Sequence, residues 1–278
     1  MVKFKLLEMK YQSYVGIELE NTSAELEQLK RDGYFVKEKL LSDDLCLEIS
    51  NELDKLWQHQ VNLYGEDLLK KIGDWGQIRG MMEYSKVLQD FIINKDIHHW
   101  VDQIVGETSI LHLQNGIVLH PSIGHNQAKY HKDFAKDFLS SKTLSLNTFI
   151  AIDDFTIENG GTYVVPGTHN FIEKPSEEYI EANKVQITCP KGTVIFFDST
   201  LWHAGGQNNS KDIRRAVNMQ WTKPFIKQQL DYPVIMDGKI FKESKLGQKL
   251  GMWTIPPKSV SEYRVTDPKL RTYRGGQG

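Results

Sequence analysis

His131 and Asp133, in the stretch YHKDF, stand two residues apart. Alternate residues of an extended strand point to one side, so an imidazole and a carboxylate at this spacing can aim at a common point. A second histidine, His203, closes a later run of β character, GTVIFFDSTLWH. Two imidazoles and one carboxylate gathered on one face hold a ferrous ion and leave coordination positions open for substrates. The same donors suit zinc in an isomerase or hydrolase. Arg214 opens the run RRAVNMQW after the polar turn GGQNNSKD, and that run would return beside the strand carrying His203. A guanidinium there can clamp a dicarboxylate bidentately, and it has no evident purpose in a hydrolase. A third reading is a non-catalytic barrel that binds a ligand or partner and keeps the triad incidentally.

The elements that must position these residues change character along the chain. The first hundred residues read as helical. TSAELEQLKRDGYFV offers Ser23 as a cap, Leu26 and Leu29 at helical spacing, and Gly33 as a stop before the short apolar run Tyr34 to Val36. SDDLCLEISNELDKLWQHQV follows, capped by Ser42 or Asp43, with Leu45, Ile49, Leu53 and Leu56 or Trp57 on one face. SKVLQDFIINKDIHHWVDQIVG reads as two short helices ending at Gly106. After Gly106 come SILHLQNGIVLH, TLSLNTFIAIDDF, GTYVVPG, KVQITCP, GTVIFFDS and RRAVNMQWTKPF, short β-rich runs punctuated by Gly, Pro, Asn and Asp with no helix pattern between them. Parallel strands would need crossover helices, so antiparallel sheets folded as a double-sheet jelly roll are expected. The expected organisation is a single domain: a mainly helical part over 1–106, a jelly-roll core over 107–225, and a C-terminal helix (KESKLGQKLGM) and tail over 226–278 laid on the core.

The 278 residues are 40% hydrophobic and 25% charged, enough for a substantial core. A net charge of −2 creates no strong field for nucleic acid or an anionic membrane. The basic tail from Lys258 to Arg274 reads as solvated. The apolar run in MVKFKLLEMK is too short and too interrupted for a signal-peptide core, and no stretch approaches the roughly 20 apolar residues of a membrane span. Cys46 and Cys189 lack a CxxC context and read as buried thiols of a reducing compartment. A cytoplasmic protein acting on a small molecule, as monomer or homodimer, is expected.

The residues from about Asp32 to Phe225 resemble the phytanoyl-CoA dioxygenase family of non-haem iron(II), 2-oxoglutarate-dependent oxygenases. RDGYFVKEKLLSDDLCLEI is similar to the family's opening segment, YHKDF to its iron-binding HxD, IAIDDFTIENGGTYVVPGTHN to its strand, Asn-Gly turn and PGSH signature, and LWHAGGQNN with RRA to the segment of the distal histidine and cosubstrate arginine. The resemblance implies that His131, Asp133 and His203 are the iron ligands and that Arg214, rather than Arg215, binds the distal carboxylate of 2-oxoglutarate, since adjacent strand residues face opposite ways. It also implies cosubstrate contacts for Gln114 and Asn147. The implied reaction consumes dioxygen, releases succinate and carbon dioxide, and oxidises a substrate C–H bond. Halogenating relatives replace the carboxylate, so Asp133 favours hydroxylation or a related desaturation or ring-forming oxidation. Asn159, Gly160 and Gly161 suit positive φ in a tight turn, which makes NGGTYVVPGTH, His169 included, scaffold. His59, His98 and His99 read as helix surface, and His112 and His120 lie at even spacing along the strand of Gln114. Lys132, Phe134, Lys136 and Asp137, beside the HxD, bring mixed charge to the cavity mouth and point to a polar small metabolite.

Overall fold

A computed structural model describes residues 23–121, 126–134 and 137–267. The segment MVKFKLLEMK, Lys136, part of the loop HPSIGHNQAKY and the basic tail beyond residue 267 lie outside the described residues.

Helix α1 (Ala24–Asp32) starts where the Ser23 hydroxyl accepts from Leu26 N at 3.4 Å. It stops at Gly33, whose φ of 82° lies in the left-handed region that a residue without Cβ enters freely. Strand β1 (Tyr34–Lys37) follows, then α2 (Asp43–Tyr64), capped by Ser42 and burying Cys46, Ile49, Leu53, Leu56, Trp57 and Gln60 along one stripe. Next come α3 (Glu66–Lys71), β2 (Gln77–Arg79), α4 (Lys86–Phe91) and α5 (Lys95–Ile104). The N-terminal part is therefore not helical alone: β1 and β2 form the two edges of the main sheet. Three residues of β2 are too few for a period-2 pattern to stand out in the sequence.

All six expected β runs contain strands: β3 (Ile110–Leu119), β4 (Ser145–Ala151), β5 (Tyr163–Val164), β6 (Val185–Gln186), β7 (Val194–Asp198) and, after the short β8 (His203–Ala204), β9 (Arg214–Thr222). One helix interrupts them, contrary to the sequence expectation. Helix α6 (Glu177–Asn183) sits between β5 and β6, capped by Ser176 with Glu177 and Glu178 in its first turn. The main sheet runs β1-β7-β4-β9-β3-β2 and the smaller one β6-β5-β8, with every named pairing antiparallel. This is a double-sheet jelly roll with flanking helices.

The main sheet is buried on both faces in alternation. Leu146, Ile150, Val194, Phe196, Val217, Met219 and Trp221 join the helices in one apolar cluster, while Phe149, Ala151, Ile195, Phe197 and Ala216 join Phe155, Val164, Ile187 and Cys189 toward the smaller sheet. This second face carries the polar residues considered below.

Order persists beyond Pro224, further than the sequence pattern indicates. Helices α7 (Tyr232–Ile235) and α8 (Lys245–Lys249) are followed by α9 (Val260–Val265), which buries no residue. Lys249 is fully buried and donates to Asp102 Oδ1 at 2.8 Å, Ser109 Oγ at 2.9 Å and Glu107 O at 3.1 Å. That group ties the C-terminal segment to α5. Cys46 and Cys189 are buried and unpaired. Among the described residues, no helix is long and apolar enough to cross a membrane.

Candidate active site

His131 and His203 meet through a reciprocal backbone pair, each N–H donating to the other's carbonyl at 3.0 Å. The residues after His131 continue along the same segment, where Asp133 N donates to Ser199 O at 3.0 Å. This folds the HxD against the turn that leads into β8. His131 Nε2 lies 3.3 Å from Asp133 Oδ1, and His203 Nε2 lies 3.7 Å from Asp133 Oδ2. One ligand atom from each residue falls within 4.8 Å of the others.

The tautomers suit a metal. His131 Nδ1 bonds Lys129 O at 2.7 Å and His203 Nδ1 bonds Leu201 O at 2.9 Å. A carbonyl only accepts, so each Nδ1 carries the proton and each Nε2 turns a lone pair toward Asp133. Three electron-rich atoms converging in a partly buried place fit a cation between them. Burial pushes the Asp133 carboxyl up, but with the imidazoles protonated the charges of His203 and His131 and hydrogen bonds from His131 and Asn147 outweigh it and hold it at about 2; a bound cation takes the place of the Nε2 protons. Burial pushes the His203 imidazole down. An ionised carboxylate and neutral imidazoles are the ligating forms of these groups.

Arg214 and Arg215 part as the strand geometry requires. Arg214 is only 2% exposed and lines the same cavity as the triad. Its Nη2 donates to Gly160 O at 3.1 Å, its guanidinium lies 4.4 Å from the centre of the Phe155 ring, and its Nε and Nη1 have no partner among the described residues. Burial pushes it down to about 10, so it stays charged near neutrality. Arg215 faces outward to Asp54 and Asp153, at 2.7 and 3.0 Å. The Gly160 turn that meets Arg214 needs its glycine: φ is 88°, and a Cβ there would stand 2.6 Å from Gly206 O. Of Asn159, Gly160 and Gly161, only Gly160 has positive φ. Asn159 instead fixes the turn through its side chain, which accepts from Thr156 N at 2.8 Å and donates to Asp154 O at 2.7 Å.

Two expected cosubstrate contacts are placed differently. Gln114 is fully buried but points to the helical side of the sheet, where its Nε2 donates to Leu88 O at 2.9 Å. Leu113 and Asn115 line the cavity in its place, because alternate strand residues face opposite ways. Asn147 faces the triad, yet its Nδ2 is spent on Asp133 Oδ2 at 2.8 Å and Asn218 Oδ1 at 3.0 Å. Its Oδ1 accepts from Ser199, which in turn accepts from Ser145, and Ser145 from Gln220. Asn147 therefore orients the carboxylate.

Lys132 and Phe134 do not reach the cavity. Lys132 is buried, donates to Phe171 O and lies over the Trp202 ring, while Phe134 packs near Phe138 in a separate crevice. Asp137 is exposed and does not line the cavity. His98 is buried against Trp221 with Nε2 bonded to Ile92 O, not on the helix surface, whereas His59 and His99 are exposed. His112 lines the cavity, while His120 packs with Trp57 and Trp75. His169 sits outside the triad, near Lys30 O. Sequence reasoning missed Gln77 and Arg79, which share the cavity of about 230 Å³. Their i, i+2 spacing, the logic that pairs His131 with Asp133, places both on one face once the short strand is known.

The model of the phytanoyl-CoA dioxygenase (PhyH) family matches residues 29–216. A protein of Mycobacterium tuberculosis described as uncharacterized is 36% identical over 255 residues, covering 88% of this chain and 92% of its own. The peroxisomal phytanoyl-CoA dioxygenase of Rattus norvegicus is 23% identical over 237 residues, covering 73% and 70%. The crystal structure of EctD from S. alaskensis with 2-oxoglutarate and 5-hydroxyectoine superposes with a TM-score of 0.61 at 21% identity, over 72% of this chain and 76% of that one.

Proposed function

This chain belongs to the phytanoyl-CoA dioxygenase family and is a 2-oxoglutarate-dependent dioxygenase that uses iron(II), 2-oxoglutarate and dioxygen; from that premise we propose that His131, Asp133 and His203 hold the iron, that Arg214 holds the distal carboxylate of 2-oxoglutarate, and that the enzyme hydroxylates a C–H bond of a small polar metabolite. The observation that carries the reading is the pairing of a three-donor cluster with a buried guanidinium whose Nε and Nη1 lack partners among the described residues, on one cavity. A carboxylate oxygen can accept from such an idle charged donor.

Bound there, iron(II) with 2-oxoglutarate and dioxygen supplies the oxidant for the C–H bond, with succinate and carbon dioxide released. The chain's own residues set the geometry. His131 and His203 keep their Nδ1 protons on backbone carbonyls and present Nε2 inward. Asn147 ties down Asp133 Oδ2, so the carboxylate keeps one orientation. Phe155 and Gly160 fix the guanidinium of Arg214 in a buried position, where its attraction for a carboxylate is strong. A zinc hydrolase would leave that arginine without a task. We place the described residues in one functional domain. The cytoplasm suits the two buried free thiols, which stay reduced there.

Asp133→Ala tests the assignment. It should abolish 2-oxoglutarate-dependent oxygen consumption with the fold retained, as read by circular dichroism. Unchanged consumption would refute the ligand role.

A further inference from the structure

The cavity carries a second guanidinium. Arg79, at the end of β2, faces the same space as the triad and Arg214, and the reading above gives it no task. Strands β2, β3, β9 and β4 lie in register at this level: Arg79 pairs with Asn115, Asn115 with Asn218, and Asn218 with Phe149. This row crosses the cavity face of the sheet. Within it, Asn218 Oδ1 accepts from the same Asn147 amide that donates to Asp133. Two strand spacings put the Arg79 backbone about 10 Å from that of Asn218. Arg214 pairs with Leu119, four positions along the same two strands and so about 14 Å away in the strand direction. The two guanidiniums thus stand apart on one cavity, Arg79 on the β2 edge and Arg214 on β9, with Asn147, which bonds Asp133, on β4 beyond β9.

Arg79 is held from two directions. Gln60 of α2, buried in an otherwise apolar stripe, donates from Nε2 to Arg79 O at 2.7 Å and accepts from Arg79 N at 3.3 Å. Asp74 accepts from Arg79 Nη2 at 2.8 Å and from Nε at 3.3 Å. These contacts use one edge of the guanidinium, while Nη1 has no partner among the described residues. Around it the lining is rich in neutral hydrogen-bonding groups: Gln77, Asn115, His112 and Gln229. Among the described residues that line the cavity, Asp133 is the sole carboxylate.

The geometry points to an anionic small molecule as the primary substrate: a carboxylate or phosphate monoester whose anion docks on Arg79 and whose polar groups meet the amides beside it. Its oxidised carbon then lies toward Asp133. An unsubstituted acyl chain would desolvate Arg79, Gln77 and Asn115 without giving them partners, which costs free energy for each stranded group. Asp74 orients the guanidinium and competes with the substrate for its charge. The inference rests on the reading that the triad holds iron and Arg214 holds 2-oxoglutarate.

The test uses the full chain loaded anaerobically with iron(II) and 2-oxoglutarate. The visible band of that complex is read first in the unmodified protein, and its absence refutes the site reading alone. A panel of small carboxylic acids and phosphate monoesters, each beside its neutral amide or alcohol, is then titrated by calorimetry. At least one anion should bind tenfold or more tightly than its neutral counterpart, and the carboxylate and phosphate arms separate the two sources. Arg79→Gln should weaken that binding about 10- to 100-fold, and Arg79→Lys by less. Asp74→Asn should strengthen it several-fold, because a competing carboxylate is gone; a purely structural pair predicts no gain. If Arg79→Gln does not fold, Asp74→Asn and Arg79→Lys carry the test. The proposal is overturned if no anion of the panel binds, if neutral counterparts bind equally well, or if Asp74→Asn weakens binding.

Discussion

Arg214→Met should move stability and cosubstrate affinity in opposite directions. The guanidinium is 2% exposed and, among the described residues, makes one hydrogen bond to Gly160 O and one ring contact with Phe155 and leaves Nε and Nη1 without partners. A hydrogen bond to a charged group is worth about 1.5–3 kcal/mol, and a cation–π contact about 0.5–2 kcal/mol. Against them stands the cost of burying the charge. Its descent from 12.5 to about 10 corresponds to roughly 3 kcal/mol against the charged form. Methionine fills similar space without polar donors. The terms nearly cancel, so urea unfolding of the metal-free variant should give a stability within about 1 kcal/mol of the parent. Removing one partner of a buried charge pair costs about 2–5 kcal/mol in binding, so 2-oxoglutarate affinity should fall about 30- to 3000-fold. Arg215→Met, which breaks only outward pairs to Asp54 and Asp153, should leave that affinity unchanged. A variant at 214 that loses more than about 2 kcal/mol of stability and binds 2-oxoglutarate normally would refute this role.

Asn147→Ala should lower iron affinity about 10- to 100-fold while leaving the fold intact, as measured by competition with a chelator, because Asp133 Oδ2 loses its orienting donor. Asp102→Asn should cost about 3–5 kcal/mol in urea unfolding at neutral pH, since it leaves the fully buried Lys249 without its counter-charge. Burial pushes the Asp102 carboxyl up, yet hydrogen bonds from His98 and Lys249 hold it well below the usual carboxylate range. A depressed carboxylate contributes stability above its unfolded value of about 4 that is lost as pH falls below it, so the variant's stability should fall less steeply with acid. Gly160→Ala should destabilise the turn, with a lower melting temperature and weaker 2-oxoglutarate binding, because its Cβ meets Gly206 O at a positive φ.

The grouping of His131, Asp133, His203 and Arg214 on one cavity was legible because the HxD spacing and the β character around His203 and after Arg214 are local signals, and period 2 alone separates Arg214 from Arg215. It also carried the caps at Ser23 and Ser42 and the stop at Gly33, which are local signals. What it hid depends on pairing. Nothing local says which face of β3 meets the helices, so Gln114 is placed wrongly until β9 and α4 are set beside it. Asn147 bonds Asp133 across a tertiary contact, and its role as an orienting donor is visible only there. Helix α6 escaped the sequence reading because, despite its Ser176 cap and paired glutamates, its seven residues are short enough to pass as a loop. Lys132 shows the reverse case, a charged neighbour of two site residues that the chain turns inward onto Phe171 and Trp202.

The most direct measurement is the anaerobic absorption spectrum of the protein with iron(II) and 2-oxoglutarate. A weak visible charge-transfer band is expected, lost in His131→Ala and in His203→Ala and regained in Arg214→Met only at much higher 2-oxoglutarate. Iron that binds without any 2-oxoglutarate-dependent band, or a band that survives both histidine substitutions, would contradict the assignment of the site.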